Sequence, residues 1–220
     1  MYRETDVPVG ANGVVTDLEF DGTGGLLASG GFTTFHGTNR VRIARLVNRG
    51  SVVDPGFDTS ALGNIGLVEE IVPLRSGRVL GLGNLEITYN SVTHGGVFRL
   101  GTDGRLDTTF NPTGSGSTFG ARVAEGFAGE LFVSASTWND VALPLGLGRL
   151  SADGLRDGSF VPSPGLLSRG LMVPMPDGGV IVPGGLGRLM RLNAAGQLDP
   201  GFSTAAIPGF SAAMITSLVK

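Results

Sequence analysis

Apolar and polar positions along the chain fall into short alternating runs separated by Gly-rich turns. The first run, Val14-Val15-Thr16-Asp17-Leu18-Glu19-Phe20, sets Val14, Leu18 and Phe20 on one face and Asp17 and Glu19 on the other. That is the period of a half-buried strand, with its apolar face inward and its carboxylates in water. Asp21 to Gly25 reads as a turn. Leu26 to Phe32 is nearly all apolar or small and predicts a strand buried on both faces. A longer loop, Thr33 to Arg40, leads to a third strand, Val41-Arg42-Ile43-Ala44-Arg45-Leu46. The order then recurs from Leu67, from Ala121 and from Leu171, and no segment shows a helical period.

The third strand of each repeat opens a fixed phrase: Arg-Leu, three residues, Gly, two residues, Asp, two residues, Phe. Arg191, Gly196, Asp199 and Phe202 give its clearest copy. Arg149, Gly154, Asp157 and Phe160 repeat it, as do Arg99, Gly104, Asp107 and Phe110. Arg45, Gly50, Asp54 and Phe57 carry one extra residue between Gly and Asp. Gly suits a turn position with positive φ. The Asp carboxylate can accept backbone N–H groups two residues on. The Phe returns to the core as an anchor, and all four anchors are expected to be buried. Each motif Arg has a motif Asp nearby, so ion pairs that brace the turn are expected ahead of an anion-binding ring of arginines.

The anchors step by 53, 50 and 42 residues, and the turn glycines Gly24, Gly77, Gly129 and Gly178 by 53, 52 and 49. A period near 50 residues, with three or four short strands per unit, predicts an all-β, β-propeller-like fold. The competing β-sandwich does not require such a recurring anchor. Residues 1–220 read as a single repeat domain of four units of about 42–54 residues, spanning 11–62, 63–116, 117–169 and 170–213. Residues 214–220 match the first strand in pattern and predict part of a fifth unit.

These units resemble the delta-60 repeat family. The resemblance rests on Gly25-Leu26-Leu27-Ala28-Ser29-Gly30-Gly31-Phe32-Thr33, on Arg42 to Leu46 and on Gly104 to Asn111, and it covers nearly the whole chain. It implies blade-forming repeats without catalytic activity, of a kind found in bacterial surface, secreted and phage-associated proteins. The third repeat departs most, with Ala135 at the second-strand Gly and Trp138-Asn139-Asp140 in place of Gly-Phe-Thr. In the fourth, the loop between the second and third strands almost vanishes.

Composition narrows the function classes. Thirty-eight glycines could suggest disorder, but 41% hydrophobic residues argue for a substantial core. A net charge of −3 gives no basic face for nucleic acid. Lys220 is the one lysine among 16 basic residues, which reads as codon bias. With no Cys there are no disulfides, thiolate metal sites or Cys nucleophiles. Met1 to Asp6 is polar and lacks the apolar stretch of a signal peptide, and no run is long enough for a transmembrane helix. The chain is therefore expected to be cytoplasmic at synthesis, to leave by another route, or to be a piece of something longer, without membrane insertion; the resemblance implies an extracellular or virion-associated place.

No catalytic or metal site and no cofactor is expected. His36 and His94 lack a signalled carboxylate partner. Asp103-Gly104, Asp153-Gly154 and Asp177-Gly178 carry too few oxygens for calcium loops and fit turn chemistry instead. The repeats differ in length mainly between strands two and three, so those loops are expected on one rim. They would gather His36, Asn39, Tyr89, Asn90, His94, Trp138 and Asn139 into a face suited to a protein or glycan surface. The expected function is a non-enzymatic binding or structural module. The alternatives are a phage virion or tail component packed against neighbouring subunits, and a glycan-processing propeller enzyme, which would need two carboxylates and an Arg at one mouth.

Overall fold

The computed structural model describes residues 10–63, 65–89, 91–110, 122–135, 137–138, 141–143, 146–163, 170–184 and 188–202. The terminal strand expected at 214–220 lies outside them. The described residues form an all-β, β-propeller-like repeat fold, with a 3-10 turn at Ser60–Leu62. No described helix is long and apolar enough to cross a membrane. The chain divides into two compact units, residues 1–110 and 111–220.

The first unit holds two blades. Blade one is the antiparallel sheet β1 (Val15–Phe20), β2 (Leu26–Gly30), β5 (Ile43–Val47) and β6 (Val52–Val53), with a small hairpin, β3 (Thr34–Phe35) and β4 (Thr38–Asn39), between β2 and β5. Blade two is β7 (Glu70–Pro73), β8 (Val79–Tyr89) and β9 (Val92–Leu100). The second unit repeats the plan. Blade three is β10 (Arg122–Glu125), β11 (Leu131–Ser134) and β14 (Leu147–Leu150), with a side ribbon of β12 (Thr137–Trp138) and β13 (Val141–Ala142). Blade four is β15 (Val173–Pro174), β16 (Val180–Pro183) and β17 (Leu189–Leu192).

Register is the same in every blade. Leu27 pairs with Arg45, Leu80 with Arg99, Phe132 with Arg149 and Ile181 with Arg191. The turns between the first two strands carry Gly24, Gly77, Gly129 and Gly178 at φ between 77° and 94°. Each blade has a trailing face that bears the motif Arg and a leading face opposite. In the first unit, Leu27, Ile43 and Phe57 from the trailing face of blade one share a core with Ile71, Val79, Phe98 and Leu100 of blade two. In the second, Phe132, Leu147 and Phe160 meet Met172, Val180, Val182 and Leu192. Blade-on-blade packing is therefore what the alternating pattern encodes.

Three expectations are corrected. The apolar face of β1 is open: Leu18 is 56% and Phe20 74% exposed, while Asp17 turns inward and its Oδ2 accepts the Ile71 N–H at 2.9 Å. Ile71, at the same register in blade two, is 1% exposed because blade one covers it. Most of the remaining leading face of blade one is covered by its own hairpin, with Phe32 and Phe35 on Ala28, Ala44 and Leu46. The stretch from Leu85 to Gly96 is not a loop but the end of the long β8–β9 ladder, paired down to Tyr89 and Val92. Its odd positions Leu85, Ile87 and Tyr89 enter the core. Among the anchors, Phe57, Phe110 and Phe160 are buried but Phe202 is half-exposed. Gly104 of the next hairpin sits against Phe57, and Gly196 sits beside Val161 just after Phe160.

Candidate functional site

The four motif arginines are held by their own repeats. Arg45 reaches Asp54 at 3.1 Å, Arg99 Asp107 at 2.9 Å, Arg149 Asp157 at 2.7 Å and Arg191 Asp199 at 3.1 Å. In each, one carboxylate oxygen takes the Arg. The other caps the turn, accepting the N–H of Gly56, Thr109, Ser159 or Gly201 at 2.8–3.0 Å. The Asp N–H donates to the Arg carbonyl at 2.8–2.9 Å, which closes the hairpin and delivers the Phe inward. The Arg99 guanidinium lies 4.9 Å from the Phe110 ring centroid, and Arg149 lies 5.1 Å from that of Phe160. Arg45 and Arg191 also pair with turn carboxylates of their own blades, Asp21 and Asp177. Arg149 instead donates to the carbonyls of Gly178 and Ala194 in blade four.

These contacts set the ionisation of the carboxylates. Burial opposes the charged form of Asp107, but the Thr109 hydroxyl and N–H and the Arg99 guanidinium outweigh it and hold the carboxyl below its usual range. Asp157 is lowered by the Ser159 hydroxyl first, then by its N–H and Arg149, against a smaller opposing effect of burial. For Asp21, burial is again overcome by bonds from Thr23, Gly25 and Arg45. The arginines and aspartates of the motif are therefore structural braces.

The residues expected on the loop rim part company. Asn39 is exposed on β4. His36 is half-buried and bridges blade one, its Nδ1 accepting the Gly10 N–H at 2.9 Å and its Nε2 lying 3.2 Å from the Gly50 carbonyl. Tyr89 and His94 are buried and stacked, with ring centroids 4.0 Å apart. The Tyr89 hydroxyl donates to the Phe110 carbonyl, and burial pushes it up to about 12. Strand pairing thus moves both off the expected face and into the core. Trp138 lies on the backbone of the β12–β13 ribbon, paired with Val141. Asn90 and Asn139 lie outside the described residues.

What the first unit does expose is a shallow cleft that sequence reasoning missed. Asp58 and Thr59, just after the Phe57 anchor, form one wall. Ile87 and Thr88 of β8 form another, and Arg105 and Leu106 of the Asp-Gly hairpin close it. Asp58 N–H donates to the Asp103 carbonyl at 2.7 Å, which fixes the two walls together. The Ser60 N–H and hydroxyl hold the Asp58 carboxyl below its usual range, helped by Arg40, 3.6 Å away, and less by Arg105. The floor, Leu62, Ile87 and Leu106, is apolar. A signal existed in the sequence: the anchor of one repeat and the hairpin of the next must meet wherever blades stack. Among the described residues, no group of three or more His, Asp or Glu side chains could hold a metal ion.

The family described as domain of unknown function (DUF5122) beta-propeller matches residues 75–110, which run from the β7–β8 turn through the Arg99–Asp107–Phe110 brace. No curated protein matches the chain. A propeller match together with the repeated blades is compatible with a binding or structural module.

Proposed function

We propose that the chain is a non-enzymatic β-propeller-type module that holds a protein or glycan surface at the rim of its first unit, outside the cell or on a virion. The observation that carries this reading is the cleft of Asp58, Thr88 and Arg105 over Leu62, Ile87 and Leu106. Charged and hydroxyl groups around an apolar floor suit the hydroxyls and apolar face of a sugar, or a polar side chain beside an aliphatic one. The braces are alike in all four repeats, whereas the cleft wall from β8–β9 belongs to blade two, so rigid blades carry a variable edge. Glycan-array and titration binding test it. Wild-type binding lost in Thr88→Arg with Arg105→Glu, at unchanged melting temperature, supports the reading. Binding that survives both changes, or no binding by the wild type to any glycan or protein tested, contradicts it.

A second reading, a virion or tail component packed against neighbouring subunits, is favoured by the exposed apolar side chains of Leu18 and Phe20 on β1 and of Val14 just before it. The mass of the particle in solution separates the two readings, since a monodisperse monomer counts against the packed component.

A further inference from the structure

The cleft of the first unit is small, and its chemistry is that of a hole for one side chain. Its volume is about 100 Å³. Sites for drug-sized ligands run to roughly 300–1,000 Å³, and an apolar cavity of about 150 Å³ is filled by one benzene. The cleft therefore has room for a few non-hydrogen atoms, the end of one side chain and less than a sugar ring. Its floor is aliphatic: Leu62, Ile87 and Leu106. Among the described residues that line it none carries an aromatic ring, the surface on which the apolar face of a sugar stacks. The rim holds one acceptor and one donor. Asp58 keeps its side chain 43% exposed, with Oδ1 accepting the Ser60 N–H at 3.0 Å. Arg105, on the hairpin that closes the cleft, is more exposed still. Arg40, near Asp58, is buried and donates to the Asn39 and Asp54 carbonyls.

We propose that the cleft takes one aliphatic side chain of a protein partner, leucine-like in size, with Asp58 and Arg105 holding the N–H and C=O of that same residue. A carboxylate accepts a peptide N–H, and a guanidinium donates to a peptide carbonyl. An apolar hole between the two is the complement of one aliphatic residue in a peptide chain, whose side chain stands between its own N–H and C=O. Opposite charges at the rim favour neither a cationic nor an anionic side chain. The frame is fixed, since the Asp58 N–H bond to the Asp103 carbonyl at 2.7 Å ties the two walls. Side chains that fill such preformed holes carry most of the energy of an interface. The proposal rests on the cleft being the binding site, and it decides which class of surface that site holds.

The probe is N-acetyl-L-leucine methylamide, titrated into the full chain and followed by methyl and amide NMR. N-acetylglycine methylamide has the same peptide units without the side chain, and methyl α-glucoside stands for a sugar. The leucine probe should shift the Leu62 and Ile87 methyls and the Gly104 amide saturably, and bind about tenfold more tightly than the glycine probe, as one buried side chain provides. Ala61→Phe, which fills the cleft, should abolish the shifts. Should that variant lose its cooperative melt, Arg105→Ala takes its place and should weaken the leucine probe about threefold or more. Equal binding of the leucine and glycine probes overturns the proposal, as does leucine binding unmoved by these variants. Shifts of the same methyls by the glucoside in place of the leucine probe also overturn it, while leaving the cleft a site for glycan. Shifts by none of the three overturn the proposal and the binding role of the cleft together.

Discussion

Asp17 and Ile71 join the first two blades: the carboxylate Oδ2 accepts the Ile71 N–H at 2.9 Å. A bulge lies behind this contact, since β1 pairs Val15 with Gly30 but Asp17 with Ser29, leaving Thr16 out of register. The Thr16 hydroxyl uses that freedom to donate to the Val68 carbonyl at 2.6 Å. Asp17→Ala should cost about 1–3 kcal/mol, the penalty of an orphaned N–H, and Asp17→Asn less because the amide oxygen can still accept. Urea unfolding of the two variants checks this. Equal stability of Asp17→Ala and the wild type would refute the link.

The anchors should differ in cost. Phe110 is fully buried beneath Arg99, so Phe110→Ala should lose about 3–5 kcal/mol. Phe202 is half-exposed, and Phe202→Ala should lose clearly less. Calorimetry of both variants gives the comparison, and a melting curve unmoved by Phe110→Ala would deny the anchor its role.

Acid should weaken the fold through the braces. Asp21, Asp107 and Asp157 all ionise below their usual range in the folded chain. Groups lowered by folding stabilise it above their unfolded value of about 3.9, and that stability is lost as pH falls through the folded value. Melting temperature should therefore be steady near neutrality and drop from about pH 5 downward. Asp107→Asn should start lower and fall less steeply over that window. A parallel curve for Asp107→Asn would show that this carboxylate carries none of the dependence.

Gly104 sets the meeting of two repeats. Its φ is 79°, and an added Cβ would lie 2.6 Å from the Asp58 nitrogen. Gly104→Ala should cost about 1–3 kcal/mol from backbone strain, more if the clash moves the cleft wall. Gly158, with nothing within 4 Å of such a Cβ, should accept Ala with almost no change. Thermal shifts of similar size in the two variants would contradict the close approach.

Much of this architecture was legible because it is written four times. The Arg, Asp and Phe spacing predicted the braces, and a side chain that must pair eight or nine residues away leaves a rigid trace in sequence. What faced outward was less legible. Val14, Leu18 and Phe20 alternate as a buried strand does, but burial also depends on what stands opposite, and the Phe32–Phe35 cluster packs on Ala28, Ala44 and Leu46 of β2 and β5, not on β1. Tyr89 and His94 fall within the twelve residues from Leu85 to Gly96, whose mixed polar and apolar order reads as a loop that interrupts the strands. Pairing of Tyr89 with Val92 and of Ile87 with His94, across a tight turn with Ser91 at φ 61°, instead extends the ladder, and both rings are buried. The cleft at Asp58 and Arg105 was missed because its walls come from different repeats, and a reading by repeat keeps them apart.

The central claim is that the phrase repeated in each unit builds the blade instead of binding a ligand, and Arg99 with Asp107 is its best-buried instance, with the Arg99 side chain 1% exposed. A double-mutant cycle of Arg99→Met and Asp107→Asn, followed by urea unfolding, tests it most directly. The account predicts that each single change is strongly destabilising, by about 3–5 kcal/mol where a buried charge loses its partner. The double variant should lose less than the two together, by a coupling of about 1–3 kcal/mol. Single changes that add to within about 0.5 kcal/mol would contradict it.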